Sequence, residues 1–512
     1  MTYAATNSDG SHAASSPTKL QPLAHHAPTL VVLCLLSALE GADMQILPSS
    51  FRAMEVDLEL KPYYLGVLSL CQGVACAFSG PFWGNLVDCG ISRILLITIG
   101  VSTWGICTLS LGMVTHFGGM AFLRAMNGAA VACLLPISQS IVSEITHGDS
   151  RGRVFGWLYL CSKIGEVCVC LFVTPLSNMQ IFGMGGWRVA LLFVGLASLL
   201  IAPLVPVIAT EAPREWRPER CGPSVEIKKL WKFVQIKTFL VVLLQGVFGT
   251  IPGAALAFVT MYLQYTGVTD AVAAMINALH IIGVALGGLL GGAVGDYLHS
   301  RSPRYGRAVT AQLSVLASIP CVTGLFLLKP TEENITAMTG MMFLHGLVGS
   351  WVTPGCLAPV MCDIIPKSHT ASAYAWELAI VFASGNALGP LTVGYLSQRV
   401  YGYSITDEQV VDMSPTLRER NAEALGASLL VACIIPYFIC AVIFTTMYIT
   451  YPGDVIRDDR TYNDASSYVL PANSALDMAR ERRRTTSRDG AANGAAATAA
   501  ATEETSLLPA SH

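Results

Sequence analysis

The sequence predicts an all-α membrane protein of twelve transmembrane helices, arranged as two six-helix parallel repeats. Three observations carry that expectation: the number of long apolar runs, the placement of Lys and Arg, and a short motif that returns after a long interval. Of 512 residues, 53% are hydrophobic and 13% charged, where a soluble globular protein carries about 25% charge. Mean hydropathy is +0.54. No soluble core absorbs so much apolar surface, so the bilayer must act as solvent.

The runs follow in order. Residues 1–27 are polar and lack the apolar stretch of a cleavable signal peptide, which makes them a disordered cytoplasmic N-terminus. Membrane-length runs lie near 29–48, 63–87, 92–114, 117–145, 153–177 and 187–209, giving an N-terminal six-helix half over 28–210. A basic loop, 211–237, forms a cytoplasmic linker, and its Glu226–Val234 stretch reads as a short amphipathic helix at the interface. Six more runs near 238–264, 271–295, 306–328, 337–365, 370–398 and 426–450 make a C-terminal half over 238–450. Residues 451–512, rich in Ala, Thr and Gly towards their end, make a disordered cytoplasmic tail.

Orientation follows from the positive-inside rule. With the N-terminus cytoplasmic, 22 of the 31 Lys and Arg residues fall on the cytoplasmic side and 7 outside, leaving Arg124 and Lys163 within the bilayer. Both termini are then cytoplasmic. The sequon Asn334-Ile-Thr336 falls outside on this count, so Asn334 is a candidate glycosylation site.

A net charge of −3 points to no nucleic acid. The 15 cysteines sit mostly in apolar runs as small buried hydrophobes, without zinc-type C-x-x-C spacing. Neither metal nor cofactor is expected. The chain also lacks H-E-x-x-H, G-x-S-x-G and the phosphate-binding G-x-x-x-x-G-K-[ST] loop, so an enzyme is not expected.

Between spans 2 and 3 stands Gly84-Asn-Leu86-Val-Asp88-Cys-Gly-Ile-Ser-Arg93, and between spans 8 and 9 stands Gly292-Ala-Val-Gly-Asp296-Tyr-Leu-His-Ser-Arg301. Glycine, aspartate and arginine recur at the same internal spacing, each offset by 208 residues, which marks a duplicated unit. Here the chain resembles the major facilitator superfamily over about residues 28–450. Gly84, Leu86, Asp88 and Arg93 match that family's loop pattern G-x-L-x-D-R-x-G-R-[RK], whereas Cys89, Ile91 and Ser92 depart from it. The finer arrangement is similar to the spinster-like and organic-anion branches. The resemblance implies a latch role for Gly84, Asp88, Arg93, Gly292, Asp296 and Arg301. It also implies a monomer whose spans 1, 4, 7 and 10 line a central cavity, flanked by spans 5, 8 and 11.

Charges inside the membrane are the candidate machinery. An ionised acid at the centre of a lipid-embedded helix costs roughly 2.5–3.5 kcal/mol, yet span 1 carries Glu40 and Asp43, three residues apart. At about 1.5 Å per residue, Asp43 and Arg124 reach matching depths in a core of about 30 Å, so Arg124 is the expected partner of Asp43 or Glu40. Lys163 and Glu166 are spaced to pair on span 5. His280, His345 and Glu377 complete the proton- or substrate-binding candidates. Pro252-Gly253, Pro354-Gly355 and Pro359 predict breaks in spans 7 and 10, where backbone lines a cavity and hinges form.

The expected function is secondary transport of a small organic solute (an anion, zwitterion or amphiphile) by alternating access. Protons couple through Glu40 and Asp43, with Arg124 as the switchable partner. Two alternatives stand: a uniporter or lysolipid/sphingolipid-type transporter without strict proton coupling, and a non-transporting sensor on the same scaffold. In the tail, Glu503, Leu507 and Leu508 fit an acidic dileucine sorting motif, which implies a clathrin adaptor as partner and an endosomal or lysosomal membrane, the plasma membrane being the other option. Membrane lipids are the remaining partner.

Overall fold

The computed structural model describes residues 26–88, 90–145, 148–210, 223–328, 334–365, 370–404 and 413–455. Twelve helices among them are long and apolar enough to cross a membrane: Ala27–Leu58, Pro62–Val87, Arg93–Leu111, Phe117–Val142, Val154–Ser177, Gly186–Ile208, Lys237–Tyr265, Asp270–Arg301, Gly306–Leu327, Ile335–Ile364, Ala373–Arg399 and Pro415–Asp454. They are spans 1 to 12 in that order. The protein is an all-α, multi-pass integral membrane protein.

Two spans exceed their apolar runs. Span 1 does not stop at Pro48 but continues to Leu58, where Glu59 turns left-handed at φ 52°. A proline inside a helix removes one hydrogen bond without having to end a membrane helix, and this one runs on through Pro48. Arg52 therefore belongs to the helix and is 3% exposed, not to an outside loop. Span 12 begins at Pro415, earlier than its apolar run.

Caps fix other ends. Ser92 accepts from Leu95 N–H at the start of span 3, and Thr269 from Val272 N–H at the start of span 8, each over 3.4 Å. Asp454, the last residue of span 12, accepts from both the N–H and the hydroxyl of Thr238 at 2.8 Å, so the end of one span caps the start of span 7. The linker contributes a helix over Pro223–Val234.

Three spans are irregular. Span 4 divides at Ala132–Cys133, four residues before Pro136, whose ring crowds that carbonyl. Span 7 tightens to a 3₁₀ turn at Leu256–Phe258, one turn beyond Pro252-Gly253. Span 10 opens after Gly349 and passes through a π turn, Thr353–Leu357, around Pro354-Gly355.

Small residues bring backbones together where lipid gives no hydrophobic drive. A Cβ on Gly41 would collide with the Ser162 carbonyl, and one on Gly165 with the Ala38 carbonyl, so spans 1 and 5 touch backbone to backbone. On span 8, Gly283, Gly287, Gly291 and Gly295 recur every fourth residue and meet Phe343, Leu347, Trp351 and Gly355 of span 10.

Spans 5 and 6 are joined by a hairpin, Gln180–Ile181 paired with Met184–Gly185, turning through Phe182 (φ 52°) and Gly183 (φ 76°). This hairpin and the linker lie at opposite ends of the molecule and name its two sides. Contacts between spans 1–6 and spans 7–12 gather on the hairpin side. Gly66 abuts the Pro390 carbonyl, and Gly394 abuts Pro62 and Tyr63. Asn178 donates to Asp270 at 2.9 Å, and Phe51 packs on Phe258 at 4.8 Å between ring centroids. The hairpin side is sealed. Towards the linker side, Gly80 and Gly84 of span 2 face open space.

Candidate functional site

Asp43 is 1% exposed and lies at the centre of a knot contributed by spans 1 to 4. Its Oδ1 accepts from the Thr108 hydroxyl at 3.0 Å and from Asn127 Nδ2 at 3.4 Å. Its Oδ2 accepts from Gln72 Nε2 at 3.4 Å and stands 3.8 Å from Arg124 Nη1. Arg124 Nη2 donates to the Gln72 side-chain carbonyl. Asn127 also bonds Thr108 at 2.9 Å and receives Gln72 Nε2 at 2.9 Å. All five side chains are buried. Two guanidinium nitrogens, Arg124 Nε and Nη1, hold no hydrogen bond among the described residues, an unusual economy for a buried cation. The knot has donors in reserve.

Glu40 does not share this partner. Three residues turn a helix by about 300°, so the two acids point about 60° apart. That is enough to direct Asp43 into spans 2 to 4 and Glu40 towards span 5. There Glu40 feels the charges of Lys163 and Glu166, and no ion pair joins it to Arg124 among the described residues. Of the two acids, only Asp43 pairs with Arg124 among the described residues. Lys163 Nζ and Glu166 Oε1 are 2.5 Å apart and partly exposed, at 19% and 16% of their side chains, and Lys163 also lies over the Tyr159 ring at 5.4 Å. The Gly41–Ser162 contact sets this closeness of spans 1 and 5.

In the later spans, His280 and His345 stack with centroids 5.2 Å apart. His280 Nδ1 is 3.1 Å from the Met342 carbonyl, and His345 Nε2 is 2.9 Å from the Tyr437 hydroxyl. His280 also feels the charge of Lys163, which sets it across from the span 5 pair. Glu377, half-buried on span 11, has neither hydrogen bond nor ion pair among the described residues.

The two motif copies are not used alike. In the first, Arg93 is buried at the start of span 3 and donates to Ser140 at 3.1 Å; the Asp88 side chain lies outside the described residues. In the second, Asp296 pairs with Arg307 at 2.8 Å, not with Arg301. Arg307 Nη1 also donates to the Gly355 carbonyl at 3.2 Å, whereas Arg301 lies over Tyr297 of its own helix at 5.2 Å. The loop between spans 8 and 9 displaces the structural counterpart of Arg93 by six residues beyond the repeat's spacing. Gly292 has only the Pro354 side chain, 3.9 Å from where its Cβ would stand. Asn334 directly precedes the helix of span 10, and Glu503, Leu507 and Leu508 lie outside the described residues.

One cluster escaped the sequence reading. Glu55, fully buried on span 1, accepts from Arg52 at 2.9 Å, from the Tyr265 hydroxyl at 2.7 Å and from the Tyr403 hydroxyl at 2.5 Å. The Arg52 guanidinium lies over the Tyr265 ring at 4.8 Å. Burial beside Glu55 pushes the Tyr403 phenol well above its ordinary range, so it stays a donor. Span 1 is here tied to span 7 and to the segment after span 11. The i, i+3 spacing of Arg52 and Glu55 was a usable signal, as were the polar Gln72 and Asn127 inside apolar runs.

Comparison with known proteins agrees with this architecture. Residues 33–390 match the family model described as the Major Facilitator Superfamily. Protein spinster of Drosophila melanogaster is 22% identical over 413 residues, which cover 78% of this chain and 66% of that protein. Protein spinster homolog 3 of Danio rerio is 22% identical over 405 residues, covering 74% and 78%. Among solved structures, a bacterial homologue of the human lysosomal transporter spinster, inward-facing and occupied, aligns with a TM-score of 0.71 at 21% identity. That alignment covers 84% of this chain and 98% of the other.

Proposed function

The chain belongs to the Major Facilitator Superfamily of membrane transporters, and from that premise we propose secondary active transport of a small organic solute by alternating access, coupled to protons. The observation that carries the coupling is the buried Asp43–Arg124 pair with two guanidinium nitrogens unbonded. Protonating Asp43 removes the charge that Arg124 faces, and its reserve donors are then free to re-pair. Glu40, Lys163 and Glu166, with His280 opposite, form the partly exposed polar surface that meets the solute. A mixed-charge surface of this kind suits an anion or a zwitterion. Replacing Asp43 with Asn tests the coupling: uptake driven by a pH gradient should vanish while counterflow exchange survives. Unchanged gradient-driven uptake sinks it.

A second reading is favoured by one observation. A wholly apolar groove of about 300 Å³ runs between spans 1 and 5, with Leu30, Cys34, Leu35, Trp157 and Ile164 along it. It runs towards the turn that bears Lys163, so an amphiphile would place its chain in the groove and its head at the span 5 charges. This supports a lysolipid- or sphingolipid-type substrate. Competition between a lysolipid and a water-soluble anion in reconstituted vesicles separates the two.

In this reading both termini are cytoplasmic, so the linker side is the cytoplasmic side and the sealed hairpin side faces out. The chain works as a monomer in an endosomal or lysosomal membrane, Asn334 carries a glycan, and the tail dileucine binds a clathrin adaptor.

A further inference from the structure

On the hairpin side a cavity of about 490 Å³ lies between the start of span 2 and the end of span 11. Lys61, Tyr63 and Tyr64 line it from one, and Tyr395, Gln398 and Arg399 from the other. Tyr403 also lines it, and its hydroxyl is the one that donates to Glu55. The cavity therefore adjoins the cluster that seals this side.

Its chemistry is one-sided. Two cations line it and no carboxylate does so among the described residues. The buried carboxylate next to it, Glu55, is already engaged by Arg52, Tyr265 and Tyr403. Neither the Lys61 ammonium nor the Arg399 guanidinium has an ion pair or hydrogen bond with a described residue. The amide nitrogen of Gln398 is buried and bonds to nothing among the described residues; such a donor is costly unless something accepts from it. Three exposed tyrosine rings supply flat apolar walls.

We propose that this cavity binds an anionic group, a phosphate or carboxylate, through Lys61, Arg399 and the Gln398 amide, and that its occupancy favours the sealed hairpin side. Charge-assisted bonds from two cations to one anion are the strong kind. Lys61 belongs to the first six spans and Arg399 to the last six. Opening the hairpin side draws them apart, so an anion that needs both binds the sealed state better. A ligand shifts a conformational equilibrium only by such a difference in affinity. The direction of the shift rests on the alternating access proposed above, but binding does not.

The test uses the full-length protein and two anion sources. In maltoside micelles it is titrated with inorganic phosphate against chloride at constant ionic strength. In nanodiscs, phosphatidylcholine alone is compared with phosphatidylcholine plus phosphatidylglycerol. Thermal unfolding reports binding, and hydrogen exchange over residues 46–60 and 395–404 reports closure. An anion should raise the midpoint and slow exchange, and K61Q/R399Q, altered only at exposed positions, should weaken the effect by at least about tenfold. A response to phosphate identifies a soluble anion; a response to phosphatidylglycerol alone identifies a lipid headgroup. No response to either, or an equal response in the double variant, overturns the site. The Asp43→Asn uptake assay is independent of these readouts, so the failure of one proposal leaves the other standing.

Discussion

Tyr403 and Glu55 meet at 2.5 Å, one from the segment after span 11 and the other from the hairpin-side end of span 1. With Tyr265 donating to the second carboxylate oxygen, a single buried acid ties early and late parts of the chain together. Tyr403→Phe removes one donor from a buried charged acceptor, a loss of about 1.5–3 kcal/mol. The sealed state should lose roughly ten- to a hundredfold of its advantage, read as faster hydrogen exchange over residues 50–58 and 400–404. Because the phenol is held above its ordinary value of about 10, the neutral form favours the sealed state. The tie should persist at neutral pH and weaken only as pH rises past about 10.

Arg124 and Asp43 should fail unequally from double removal. Arg124→Ala leaves a carboxylate buried without its cation, at a cost of about 3–5 kcal/mol, and the thermal midpoint and yield should fall steeply. Pairing it with Asp43→Asn removes the stranded charge and should restore much of the midpoint. A double variant as unstable as the single one would show that packing, rather than charge, is what Arg124 supplies.

Gly41 and Gly165 should not tolerate a methyl group, because a Cβ at either would strike the backbone of the facing span. Gly41→Ala and Gly165→Ala should lower the midpoint and impair transport. Gly80→Ala, where nothing lies within 4 Å, should be neutral or stabilise by about 0.5–1 kcal/mol through reduced backbone entropy.

Arg307, not Arg301, should matter at the second copy of the motif. Asp296 is exposed over 74% of its side chain, so the ion pair alone is worth about 0–1 kcal/mol. The bond from Arg307 to the buried Gly355 carbonyl carries the larger part. Arg307→Ala should slow transport, while Arg301→Ala changes little. Equal effects would return the role to the spacing of the repeat.

These residues show which parts of the molecule a sequence displays. The twelve spans were legible because membrane length and apolarity are local properties, and the irregular turns of spans 7 and 10 because Pro-Gly pairs are local too. Depth arithmetic brought Asp43 to Arg124, since rise per residue is constant. It missed the separation of Glu40, which depends on which neighbour occupies each direction around the helix. Pro48 looked like the end of span 1 and hid Arg52 and Glu55, because only packing shows that a helix continues past a proline. Arg301 kept the spacing of the repeat, but a difference in loop length passed its contacts to Arg307. Local signals survive; relations set by packing partners do not.

The glycine row of span 8 has a mechanical consequence. Gly291 and Gly295 rest on Trp351 and Gly355, so the row continues across the irregular turn of span 10. An unbroken helix lies along an irregular one like a splint along a fracture. The Pro354-Gly355 segment, which looks like a joint in the sequence, is held as a fixed bend. In the alternating access proposed above, these contacts favour spans 8 and 10 travelling as one piece.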